Sequence, residues 1–259
     1  MIFARSIIFL LFISQPITLF CQRDYYIPKS LFLPLHDQPQ QIQVSLGYGA
    51  GIDLNFSFTF YDHFAVFTTG IINQGAKTRK YALLDSYEIT KDDYAFTGGI
   101  GYFKKFDFTI LETYLGGGVY NINNHWNFTS NKESIEYTEA NYLNLFYQIN
   151  FGKRNEEGLF GIALRVSYSN YKDFIFYDSY IEDERNYVEG LNIFTIDPSL
   201  FWGIDFKFFY LNLQGGLTVP FKSNAKVFTK TNLSTTKDDF VFSEMSLFGK
   251  ISLQYFFYW

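Results

Sequence analysis

Cysteine occurs once, at Cys21, so no disulfide can form within the chain and the fold must stand without one. No stretch supplies the roughly 20 mostly apolar residues that a membrane-crossing helix requires. Ser6 to Phe20 comes nearest, and Gln15 and Pro16 interrupt it. Charge is sparse, at 18% of residues, and its balance is −5 at pH 7. With no basic patch, nucleic acid is not an expected partner. The three histidines, His36, His63 and His125, are scattered, so neither a metal site nor another cofactor is expected.

What the chain has in quantity is aromatic residues, 22% of the total, with 32 Phe and 21 Tyr. Such residues suit pleated strands and also gather at membrane–water interfaces. The amino terminus has the layout of a secretory signal peptide over residues 1–21, with Arg5 before an apolar Ile7 to Ile13 and a cut near Cys21. Cys21 is open to two readings. A cysteine directly after the apolar region is where a bacterial lipoprotein takes its lipid, yet Phe20 stands where such signals want a small residue; the other reading is plain cleavage before Gln22. Residues 22–40 carry Pro28, Pro34 and Pro39 and are expected to form an extended periplasmic lead-in.

From Gln41 onward the hydrophobic period is two. Ile42, Val44, Leu46 and Tyr48 share a face opposite Gln43, Ser45 and Gly47, and Leu54, Phe56, Phe58 and Phe60 oppose Asn55, Ser57 and Thr59. Ten such runs occur, at 42–48, 54–60, 64–72, 94–102, 108–119, 141–151, 159–169, 193–202, 208–218 and 245–258. Short connections alternate with long polar ones at 73–93, 120–140, 170–192 and 219–244, as in outer-membrane barrels with short periplasmic turns and long surface loops. The expected fold is therefore all-β, an antiparallel transmembrane up-and-down barrel of about ten strands. The short first connection at Gly49–Gly51 departs from the pattern and keeps an eight-stranded barrel as the alternative. Pro198 falls inside a run, where a bulge is expected.

Charge separates a membrane barrel from a soluble one. Only four charged residues fall within the ten runs, Glu112, Arg165, Asp197 and Lys250, and all lie on the faces opposite the apolar ones. A soluble barrel would carry many charges on its wet strand faces, whereas a charge turned to hydrocarbon costs roughly 2–4 kcal/mol at the bilayer midplane. Leu253, Tyr255, Phe257 and Trp259 extend one apolar face to the last residue. They resemble the terminal signal by which outer-membrane barrels are recognised for insertion.

A wider resemblance rests on Tyr25-Tyr26-Ile27-Pro28, Leu33-Pro34-Leu35 and the alternating segment reaching Tyr61-Asp62-His63-Phe64. Over roughly its first third the chain resembles small outer-membrane barrel proteins of Bacteroidota, many of which carry a lipoprotein-type cysteine. The resemblance implies a location in a Gram-negative outer membrane and a fold, and it implies no activity.

Among candidate functional residues, Glu112, Arg165, Asp197 and Lys250 form the main constellation. All are expected near mid-height of the lumen, ringed by Phe67, Tyr142, Phe146, Phe201, Tyr210 and Phe248, as a neutral plug or as the walls of a solute path. His125 with Glu133, Glu136 and Glu139 has the residue types of an envelope hydrolase, although a histidine among loop carboxylates is ordinarily just solvated. The acids Asp173, Asp178, Glu182, Asp183, Glu184 and Glu189 of the third long connection read as a solvated loop. The glycines at 98–101 and 116–118 lack phosphate-loop spacing and are expected to make room for large neighbours. The leading expectation is a non-enzymatic surface barrel whose partners are outer-membrane lipid, the barrel-insertion machinery and an unidentified extracellular ligand or protein. Transport of a small or apolar solute is the second, and a lipase or protease of the envelope is the third.

Overall fold

The computed structural model describes residues 31–49, 51–81, 84–128, 134–155, 158–178, 185–221, 225–230, 235–240 and 245–258. Among them are thirteen strands and no helix: β1 Gln41–Tyr48, β2 Ile52–Phe60, β3 Phe64–Tyr81, β4 Leu84–Phe106, β5 Thr109–Phe128, β6 Ser134–Asn155, β7 Gly158–Asp178, β8 Arg185–Glu189, β9 Asn192–Asp205, β10 Tyr210–Pro220, β11 Ala225–Lys230, β12 Thr235–Phe240 and β13 Ser246–Tyr258. Ten of them, β1 to β7 with β9, β10 and β13, form a closed antiparallel barrel. Each pairs with its neighbours in sequence, β7 pairs directly with β9, and β1 closes on β13 from Gln41↔Tyr258 to Tyr48↔Ile251. The short first hairpin belongs to the wall, so the barrel has ten strands and the eight-stranded alternative falls.

The wall is inside-out by the standard of a soluble protein. Gln43, Ser45, Asn55, Ser57, Gln148, Asn150 and Gln254 are buried, while Leu46, Ile52, Leu54, Phe96, Ile100, Leu115, Leu145, Ile162 and Leu200 are exposed. Strand periodicity makes this arrangement possible, because every second side chain points into the lumen and the others point out. An apolar outer face of this extent is stable against hydrocarbon and not against water.

The four long connections differ from expectation in being largely strand. β3 and β4 continue as a hairpin to Tyr81 and Leu84, and β5 and β6 continue to Phe128 and Ser134. The third connection carries β7 to Asp178 and then β8, and the fourth holds β11 and β12, which pair with each other, β11 pairing also with β8. The onset of polar sequence at 73 or 120 thus marks where the wall leaves the apolar belt. The hydrogen-bond ladder does not end there, since it needs no apolar residues.

Other local expectations divide. The bulge at Pro198 does not form: pairs Gly216↔Ser199 and Val219↔Ile196 keep one register on either side of it. Proline only removes a donor here, and the β7 side of the strand pairs without interruption through Leu164↔Pro198. The glycine runs do make room. A Cβ on Gly116 would lie 2.6 Å from Phe146 Cζ, and one on Gly99 would lie 2.8 Å from Phe67 Cε1. In the first hairpin Gly51 has φ 153°, and a Cβ there would meet Ile72 O at 2.5 Å.

Of the expected lead-in, residues 31–40 are described, and they belong to no strand. Leu31, Phe32, Leu33, Leu35 and His36 are all buried, packed inside the barrel. Burying three leucines and a phenylalanine in the lumen removes their apolar surface from water. The turn between β2 and β3, the turn after β4 and the joint between residue 40 and β1 share one end of the barrel, called the turn end below. The extended hairpins lie at the other.

Candidate functional site in the lumen

The lumen is filled at three levels. At the turn end, residues 31–37 run inward from the start of β1. Leu31, Leu33 and Leu35 pack with Ile110, Leu159, Ala163, Phe201 and Phe248, while Phe32 packs with Phe67, Phe103, Tyr114 and Phe146. The Phe32 ring stacks 4.6 Å from Phe67 and meets Tyr114 edge-on at 5.5 Å. At the hairpin end, Tyr120, Tyr142 and Tyr171 stack at 4.7 and 4.6 Å inside a cluster with Ile71, Phe174, Val188, Leu191 and Ile193. Between the two lies a polar band that holds the charges.

The four strand charges face inward as expected, but they do not form one network. Lys250 donates to Asp53 Oδ1 at 2.8 Å, and both side chains are almost fully buried. Arg165 is the cross-strand partner of Asp197, yet its Nε and Nη2 donate to Gln148 Oε1 at 2.9 and 2.7 Å, and its guanidinium lies 4.3 Å over the Phe146 ring. Asp197 accepts only a long 3.5 Å bond from Ser167 Oγ, and its Oδ1 has no hydrogen-bond partner among the described residues. Glu112 pairs with no base. It accepts from Leu35 N at 3.1 Å, His36 N at 2.7 Å, Tyr114 Oη at 3.1 Å and Asn150 Nδ2 at 2.9 Å.

Glu112 is therefore one of several wall groups that bind the main chain of the inner segment. Gln148 Nε2 and Asn150 Nδ2 donate to Phe32 O at 2.5 and 3.1 Å, and Gln254 Nε2 donates to Leu33 O at 2.9 Å and Pro34 O at 3.3 Å. Gln214, with its amide turned to satisfy both ends, donates to Leu31 O and accepts from Leu31 N, each at 3.2 Å. Beside this segment lies a void of about 10 Å³, enough for a single water.

The mouth of the turn end is closed by side chains. His36 Nδ1 lies 2.8 Å from Gln41 Oε1, which fits a neutral ring with its proton on Nδ1, and Nε2 lies 2.8 Å from Ser57 Oγ. Burial pushes the His36 ring down to about 4 from the usual 6.5, against the Gln41 hydrogen bond. Asp37 is held by Arg154 and by Lys105 Nζ at 3.1 Å. Burial alone would raise the Asp37 carboxyl; the nearby Arg154 and Lys105 charges and the Gln41 hydrogen bond outweigh it and keep the carboxyl below the usual range.

Several of these residues carried no signal in the sequence. Asp53 is the second residue of β2, just outside the expected run, and Asp37, Lys105 and Arg154 lie in or beside turns where charge is unremarkable. The available hint was the alternation of Leu31, Leu33 and Leu35 ahead of the barrel, which suggests a face seeking cover. The terminal residues Leu253, Tyr255 and Phe257 point outward on β13, opposite Leu46, Val44 and Ile42 of β1; Trp259 and Cys21 lie outside the described residues. His125 stands on β5, stacked 5.7 Å from Tyr137, with Nε2 2.6 Å from Asn123 Oδ1. Glu136 and Glu139 lie on β6, Glu133 lies outside the described residues, and no group that could hold a metal ion occurs among the described ones. Of the acidic third connection, Asp173 pairs in register with Asn141 on the wall, and residues 182–184 lie outside the description.

No family model matches the chain, and no curated protein matches it. Among solved structures it is similar to "OmpT (in-vitro folded), an outer membrane protein of Vibrio cholerae", at 9% identity over 84% of this chain and 95% of that one, with a TM-score of 0.19. So slight a likeness bears on neither fold nor function. The class of the protein, a ten-stranded antiparallel barrel with an apolar outside and a polar, filled inside, rests on its own geometry.

Proposed function

We propose that this is a non-enzymatic outer-membrane β-barrel of the cell envelope whose lumen is sealed, and whose extended hairpins present a surface for an extracellular partner or for envelope integrity. The observation that carries the reading is the occupied lumen: residues 31–36 are buried in it, and the void beside them is about 10 Å³. A solute path needs continuous space, and rigid barrels commonly carry binding function on what projects from them. Secretion by the signal at 1–21 and insertion through the carboxyl-terminal strand belong to this reading, with or without a lipid on Cys21.

The test is conductance of the purified full-length protein in planar bilayers, where the closed lumen predicts no steady current. Tags near Asp85, Lys132, Asp183 or Thr235 are expected to be reachable from outside whole cells, and one at Asn155 is not. A stable open channel overturns the sealed-lumen reading and promotes transport. That second reading has one observation in its favour: buried Asp197 Oδ1, Thr195 Oγ1 and Thr218 Oγ1 face the middle of the lumen with no hydrogen-bond partner among the described residues.

A further inference from the structure

The segment filling the turn-end half of the lumen is held quite differently from the strands around it. Each wall strand is tied to its neighbours by a main-chain ladder. Residues 31–37, by contrast, make no hydrogen bond from main chain to main chain with the wall among the described residues and belong to no strand. Their main chain is held by side chains from five strands: Glu112 on β5, Gln148 and Asn150 on β6, Gln214 on β10, Gln254 on β13 and, at Asp37, Gln41 at the start of β1. The ten-stranded ring closes on itself through β1 and β13 without them. The segment can therefore leave without opening a single rung of the barrel.

We propose that the turn-end half of the lumen is a binding site for an extended apolar peptide, and that residues 31–37 are its tethered and exchangeable occupant. The proposal rests on the sealed-lumen reading above. Main-chain recognition supplies affinity that does not depend on sequence, and pockets add the selectivity. Here one pocket takes an aromatic ring between Phe67 and Tyr114, and a second, lined by Ile110, Leu159 and Phe201, takes aliphatic side chains. At the mouth, Arg154 and Lys105 select an acidic residue. The resident does not use every seat. Asn212 Oδ1 and Gln254 Oε1, both buried beside Leu31–Leu33, have no hydrogen-bond partner among the described residues. A peptide with donors placed to reach them would bind the same wall more completely. The ligand class is thus an extended segment of another protein, entering from the turn end, with an aromatic residue in the lumen, aliphatic residues on either side of it and a carboxylate at the entrance.

A tether holds its segment at an effective concentration of about millimolar, so a free peptide at micromolar concentration is excluded from the wild-type protein. The test uses the full-length chain in detergent with Asp37→Arg and Phe32→Ala, which remove the clamp and the anchor. The probe is a fluorescent heptapeptide with the sequence of residues 31–37. Anisotropy is expected to show saturable binding about a hundredfold tighter than to wild type, with no binding of the all-D peptide. If the double variant does not insert, Asp37→Arg alone is titrated in the same way. A folded variant whose segment is open to protease but which ignores the peptide overturns the proposal. So does a variant whose segment stays protected, since the segment is then a fixed part of the fold. A conducting wild type instead strikes at the sealed-lumen reading, while a closed wild type together with an opened variant that binds no peptide strikes only at exchange.

Discussion

Lys250 and Asp53 show what a single residue can cost in the lumen. Their pair is buried on both sides, so removing one partner breaks an ion pair that water cannot replace. Lys250→Met is expected to lower stability by about 3–5 kcal/mol, and adding Asp53→Asn to recover most of that loss. Urea titration of the heat-modifiable gel band measures both; equal losses in the single and double variants would refute the pairing. His36 and Asp37 give the pH dependence of the inner segment, and both lie before β1, outside the spanning strands. Above pH 6.5 the His36 ring is neutral whether seated or free, so it adds no pH dependence. As pH falls from 6.5 towards about 4, the free ring takes a proton that the seated ring refuses, and the seat weakens. Asp37, held below its ordinary value, contributes fully at neutral pH and loses its clamp only as pH falls through its lowered value. Protease accessibility of the segment should therefore rise between pH 6.5 and 4, and His36→Gln should abolish most of that rise. An unchanged profile in the variant would remove His36 from the account.

At the scale of the strand, face matters more than identity. Leu145 points outward from the middle of β6, and Gln148 on the same strand points in. Leu145→Arg is expected to cost about 2–4 kcal/mol in a bilayer, while Leu145→Phe changes little. Equilibrium unfolding from lipid vesicles gives both values, and a neutral arginine would mean that this face does not meet hydrocarbon. Strand faces were legible in the sequence because alternation is a local property with period two. The tops of β3 to β7 were not legible. Once the wall stands clear of the apolar belt, both faces turn polar, and a ladder held by backbone bonds resembles a loop in composition. Shortening the β3–β4 hairpin from 74 to 92 should accordingly leave insertion and heat-modifiability intact, because the ring pairs from Phe64↔Tyr102 to Ile72↔Tyr94 remain. Loss of insertion would show that the hairpin is part of the folding core.

For the whole molecule, closure decides function. β13 meets β1 along eight register pairs, so every inward side chain is brought to a common axis with groups far away in the chain. Glu112 and the Leu35 amide it accepts from are separated by 77 positions, and Gln254 and Leu33 by 221. Without the ring there is no lumen, and without the lumen the leucines of the inner segment have nowhere to go.

The amino-acid sequence by itself determined the antiparallel all-β architecture, the outward apolar face and the inward direction of Glu112, Arg165, Asp197 and Lys250, while the choice of ten wall strands over eight waited for the closed ring. Each follows from hydrophobic period or from the exclusion of charge, and both are written in neighbouring residues. Only the tertiary structure decided that Lys250 pairs with Asp53, that Glu112 binds main-chain amides in place of a base, and that residues 31–37 occupy the barrel. Those outcomes depend on the register at which ten strands close, and register across a closed ring is a property of the whole wall and of no single segment of it.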